Sequence, residues 1–94
     1  MSVRHYKSVW EALERGPKEA ASLKARSAVM LAVRHVVDRW ELTQTAAARR
    51  LGISQPRLND LLKGRIDKFS LDALVDLAER AGLAVSVKVS KRAA

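Results

Sequence analysis

The chain of 94 residues contains no cysteine. Disulfides, Cys-ligated zinc and thiol catalysis are therefore excluded, and the composition fits a reducing compartment. Aromatic residues make up 4%. They are scattered as Tyr6, Trp10, Trp40 and Phe69, so no stacking platform for RNA bases is expected. The strongest apolar run is Ala28 to Val33, far short of the ~20 residues a membrane span needs. The N-terminus has no basic-then-apolar targeting pattern. A soluble, cytoplasmic protein is the expectation. His5 and His35 stand without a Cys or carboxylate set at ligand spacing, so no metal or other cofactor is expected. Neither a Ser/His/Asp arrangement nor a phosphate-binding Gly loop can be assembled, and an enzyme is not expected.

Acidic residues are also in deficit: 10 Asp and Glu stand against 18 Lys and Arg, a formal net charge of +8. Such a surplus on a small body attracts polyanions, nucleic acid first and an anionic membrane surface second. Hydrophobic residues reach 48%, enough for folding rather than disorder. A chain this short forms one modest core, and many such modules gain stability by dimerising.

Along the chain, residues 1–21 read as an N-terminal arm broken at Gly16-Pro17, with Trp10 and Leu13 placed to fold back on the core. Trp10 on such an arm is also suited to anchor a partner. Residues 22–82 read as the main domain. Its first helix is expected from Ser22, as N-cap, to Trp40. Val29, Met30, Val33, Val36, Val37 and Trp40 share one apolar face, and Lys24, Arg34, Asp38 and Arg39 oppose it. A second helix runs from a Thr43 cap to Leu51 and stops at Gly52. A third follows Ser54, carries Pro56 in its first turn, where a missing N–H costs little, and ends before Gly64. Ser70 caps a fourth, Leu71 to Ala81, with Leu71, Leu74, Val75, Ala78 and Ala81 inward. Residues 83–94 form a C-terminal strand and tail, for Leu83, Val85, Val87 and Val89 alternate with Ala84, Ser86, Lys88 and Ser90, and the last four residues fray.

Two short helices joined by a tight Gly turn are the helix-turn-helix pattern. Gln44, Ala48 and Gly52 recur every four residues. Ala48 faces the second helix of the pair, where only a small side chain allows a close crossing. Gly52 allows a positive φ, and Ile53, Leu58 and Leu61 plug the core. Gln55 and Asn59 are then four apart on one outer face, each with an amide that can pair with adenine N6 and N7 in the major groove. Arg57 can reach a guanine or a phosphate, and it is placed with Gln55 and Asn59 among the expected base readers. Ser54 and the free N–H groups of that turn suit a phosphate. Arg49, Arg50, Lys63, Arg65 and Lys68 are assigned to phosphate, which positions without reading sequence. Thr43 joins this set. Asp60 repels phosphate, so it is structural or excludes some bases. Arg49, Arg50, Arg57 and Lys63 would be no more than a solvated face if they stood alone. The Gln-Ala-Gly-Ile spacing around them is what favours DNA.

The run LTQTAAARRLGISQPRLNDLLKGRIDKFSLDALVDLAERAGL, together with SVWEAL at Ser8–Leu13, resembles the lambda-repressor-like (XRE) class. It is most similar to the small HigA-type antitoxins and their stand-alone relatives. The resemblance implies an all-α, compact lambda-repressor-like bundle of four to five helices, here with a C-terminal β-strand. It implies that Gln44 touches phosphate and braces Gln55, which reads a base. Pro56 departs from the small polar residue of the phage repressors, which leaves one base contact of that prototype open. The resemblance further implies an antitoxin that binds a RelE/HigB-like ribonuclease toxin and represses its own operon. A stand-alone regulator, or a module chiefly capping a toxin, are the rival readings.

The strand needs a partner for its backbone groups. Either the N-terminal arm or the same strand of a second subunit could supply it. The second is favoured, with Val85, Val87 and Val89 at a homodimer interface. Two recognition helices would then lie ~34 Å apart over double-stranded DNA with a near-palindromic operator.

Overall fold

The computed structural model describes residues 17–91. Four helices follow in order: α1 (Pro17–Trp40), α2 (Gln44–Leu51), α3 (Gln55–Leu62) and α4 (Leu71–Arg80), with a 3₁₀ turn at Ile66–Lys68 between the last two. The expected arm before Gly16, with Trp10 and Leu13, lies outside the described residues, as do residues 92–94.

Helix α1 begins at Pro17 rather than after Ser22. Proline lacks the N–H that the first helical position leaves unpaired, and its fixed φ suits that position. Ser22 is therefore internal, and its carbonyl accepts from Arg26 Nε at 3.4 Å. The apolar face expected of α1 is the one it turns inward. Met30, Val33 and Val37 are buried, and Val29, Val36 and Trp40 are half-buried. The helix stops where Glu41 takes a positive φ of 52°.

Helix α1 packs chiefly along α4, and α2 and α3 close the remaining side. The core gathers Met30, Val33 and Val37 with Ala47, Ala48, Leu51, Leu58, Leu61, Ile66, Phe69, Leu74, Leu77 and Ala78. Among the described residues no polar or charged side chain is buried. Phe69 is the largest fully buried side chain, and burial of that kind contributes about 1.5–3 kcal/mol. In α4, Leu77 is buried while Leu71 is 36% exposed. The inward stripe runs through Leu74, Leu77 and Ala78. Leu71 sits at its border in the first turn, which corrects the expected inward set.

The C-terminal strand is not formed: among the described residues no strand occurs. The period-two alternation nevertheless shows in the burial. Leu83 and Val85 are half-buried against the core and Ala84 and Ser86 are exposed, whereas Val87 and Val89 are 80% and 89% exposed. A lone extended segment has no second ladder for its N–H and C=O groups, so alternation by itself makes no strand. No helix among the described residues is long and apolar enough to cross a membrane.

Candidate nucleic-acid interface

The two motif helices are set by their own termini. Thr43 has extended backbone angles, and its hydroxyl accepts from the Ala46 N–H at 3.2 Å. Ser54 does the same for the Arg57 N–H at 3.2 Å. Each such cap contributes about 1 kcal/mol. Each hydroxyl keeps its own proton to donate outward. Between the helices Gly52 adopts φ 70°. There the Gly52 N–H donates to Arg49 O at 3.1 Å and the Ile53 N–H to Ala48 O at 3.0 Å. These bonds satisfy the last carbonyls of α2 and swing the chain into α3.

Ala47, Ala48 and Leu51 anchor α2, and Leu58 and Leu61 anchor α3. The remaining face of α3 is turned out. Gln55, Pro56 and Lys63 are exposed and Asn59 is half-buried. Thr43, Gln44, Thr45, Arg49 and Arg50 are exposed on α2 and its cap. Ser54 is exposed at the α3 N-terminus and Lys68 in the following loop. In the first turn of α3, Pro56 has no N–H and the Arg57 N–H is held by Ser54, which leaves the Gln55 N–H and the helix dipole to add a partial positive charge there.

Several expected contacts are rearranged. Gln55 is braced through Thr45, whose hydroxyl oxygen accepts from Gln55 Nε2. Gln44, the expected brace, makes no side-chain hydrogen bond among the described contacts. Arg57 is not presented as a base reader. Its guanidinium lies over the Phe69 ring, 4.0 Å from the centroid, and donates to Lys68 O at 2.8 Å. Arg65 is paired with Asp60 at 2.8 Å, both partly buried, so each neutralises the other and Arg65 is not a free cation. Arg50 stacks on Trp40 at 4.2 Å while remaining exposed. Arg49, Lys63 and Lys68 keep the outward charge assigned to them.

Three supporting residues escaped the sequence reading. Thr45 is one; its hydroxyl lies ten residues before Gln55, on the first turn of the neighbouring helix. Arg80 ion-pairs with Asp76 at 3.0 Å and donates to Leu51 O at 3.3 Å, beside Gly52. Arg26 reaches from α1 to Ile66 O and Phe69 O at 3.4 and 3.5 Å. The last two bonds join residues far apart in the chain, and no local spacing signals them.

The geometry is that of a helix-turn-helix, and the comparisons agree. Residues 12–90 match the helix-turn-helix domain family. A solved structure described as an XRE-family transcriptional regulator is 31% identical, with a TM-score of 0.72, over 79% of this chain and 83% of that chain. The chain belongs to the XRE family of helix-turn-helix proteins. Among curated proteins none matches it. Within this XRE-family chain, α2 and α3 are the helix-turn-helix pair, and α3 is the helix in the recognition position.

Proposed function

We propose that this XRE-family protein is a sequence-specific, DNA-binding transcriptional repressor that lays α3 in the major groove. The observation that carries the reading is the outward face of α3. Leu58 and Leu61 lock the helix to the core, while the Gln55 carboxamide stands exposed at its N-terminus. Gln55 is the principal base reader and Asn59 the second. Thr43, Gln44, Ser54, Arg49, Lys63 and Lys68 hold phosphates around them, and Arg50 adds its charge from the Trp40 face. Arg57 and Arg65 support the loop that carries Lys68.

Selection of bound duplexes from a random pool tests this directly. A near-palindromic site should emerge. Gln55→Ala should weaken binding to it by about 1–3 kcal/mol and relax preference at one position. Lys63→Ala should weaken all sequences alike and flatten the salt slope by about one. Recovery of unenriched DNA would overturn the proposal.

The half-site reading of a palindrome calls for a homodimer, which we assign to residues 83–89. The finer role we propose is antitoxin of a toxin–antitoxin pair that represses its own operon. It is supported by the likeness of the LTQ, GISQPR and FSLDAL segments to HigA-type antitoxins. Co-purification with the product of an adjacent toxin-sized reading frame tests it. Operator binding without such a partner would make the protein a stand-alone regulator. Toxin capture without operator binding would make it chiefly a capping module.

A further inference from the structure

We infer that Thr45 is a positioning residue that orients the Gln55 carboxamide and thereby selects adenine at the base pair Gln55 reads. The inference rests on the DNA-reading role proposed above for Gln55 and adds to it the group that decides which base is read.

Gln55 Nε2 donates to the Thr45 hydroxyl oxygen. Both residues are exposed, so the bond forms on the face turned to solvent rather than within the core. The backbone that carries the hydroxyl is nonetheless fixed. Thr45 sits in the first turn of α2, one residue before Ala46, whose N–H is held by the Thr43 cap. A helical threonine is restricted to two χ1 rotamers, of which the bond to Gln55 holds one, and Ala47 and Ala48 behind it are buried. A flexible glutamine is thus tied to an oxygen on a fixed backbone.

The chemistry of the tie limits what remains. A carboxamide has two N–H donors and one acceptor oxygen. With one N–H given to Thr45, the other N–H and Oε1 are left. That pair, one donor beside one acceptor, complements adenine N7 and N6. The reverse bond, from the Thr45 hydroxyl to Oε1, would leave both N–H groups outward and suit the two acceptors of guanine, N7 and O6.

The direction of the hydroxyl proton therefore decides the base. Where Thr45 turns that proton outward to a phosphate oxygen, its oxygen can only accept from Gln55. Phosphate docking at the α2 N-terminus and adenine preference at Gln55 become one coupled event. Gln44 takes no part in this bond, so the adjacent residue carries the bracing.

The test uses the full chain with Thr45→Val, which removes the hydroxyl at nearly constant shape, and Thr45→Ser, which keeps it. Each is selected against the random pool, and affinities are measured on the selected duplex and on its adenine-to-guanine variant. Thermal melting confirms folding. Thr45→Val should lower the adenine-over-guanine preference at that pair by roughly two- to tenfold, the net contribution of one neutral hydrogen bond. Preference elsewhere should be unchanged, and Thr45→Ser should restore it. A Thr45→Val profile identical to wild type overturns the inference. So does an equal loss on every sequence, which would leave Thr45 as a phosphate contact alone. Gln55→Ala separates the two levels: if it leaves base preference intact, the reading role of Gln55 fails and the role of Thr45 falls with it.

Discussion

The Arg57 guanidinium lies over the Phe69 ring and donates to the carbonyl of Lys68, 11 residues away. It thus ties α3 to the far end of the basic loop. Arg57→Ala removes a cation–π contact and a charge-assisted hydrogen bond at a half-buried site, and should destabilise the fold by about 1–2 kcal/mol. Operator affinity should fall because the Lys68 loop loosens, but evenly across sequences. Arg57→Met keeps the apolar stem over Phe69 and should recover part of the stability. Urea unfolding and pool selection check both points. A relaxed preference at one base pair with stability unchanged would return Arg57 to the groove.

Gly52 and Arg80 are coupled at the turn itself. A Cβ on Gly52 would meet the Arg80 guanidinium, at a backbone φ of 70° that L side chains rarely adopt. Gly52→Ala should therefore cost about 1–2 kcal/mol in backbone strain, with a further ~1 kcal/mol where Arg80 is driven from Leu51 O. In an Arg80→Ala background only the strain should remain. A double-mutant cycle by thermal melting should read a coupling of about 1 kcal/mol. Strict additivity would show that Arg80 moves aside freely.

Much of this site was readable because its signals are local. Thr43, Ser54 and Ser70 cap by bonds to the backbone three residues on. Gly52 ends α2 through its own φ, and the apolar face of α1 follows from helical period. The arginines were not readable in the same way. Arg26 and Arg80 donate to carbonyls 40, 43 and 29 residues away, and only the assembled core brings those carbonyls near. Charge and position suggest a base contact for Arg57 and a phosphate contact for Arg65, whereas packing engages both within the fold. At the N-terminus, Gly16-Pro17 reads as a break and Ser22 as the cap, whereas Pro17 itself opens α1. For residues 83–89 the alternation announced which side chains share a face, but pairing depends on a second ladder that one chain need not contain.

Glu41 ends α1 with φ 52°. A non-glycine residue there costs about 1–2 kcal/mol, and glycine returns some of that gain through its freer unfolded chain. Glu41→Gly should stabilise the protein by about 0.5–1 kcal/mol. The exposed side chain makes no hydrogen bond or ion pair among the described contacts, so little is lost with it. The midpoint of urea unfolding should rise with the slope unchanged. A lower midpoint would mean that the carboxylate makes a stabilising contact in solution.

Val87 and Val89 stand 80% and 89% exposed on either side of Lys88, while Leu83 and Val85 on the same alternating face touch the core. If the segments of two copies pair as an antiparallel ribbon, these valines gain a partner and the backbone groups gain a ladder. A two-stranded ribbon alone is marginal in water, so Leu83 and Val85 must add apolar area and the dimer should dissociate on dilution. Proline at position 87 removes one N–H from the ladder and restricts the residue before it. Because Val87 barely touches its own fold, Val87→Pro should leave the helical circular dichroism unchanged. In sedimentation its mass should fall to that of a monomer, and operator binding should lose its dependence on half-site spacing. A dimer mass equal to that of the wild type across the same dilution series would exclude this segment as the main interface.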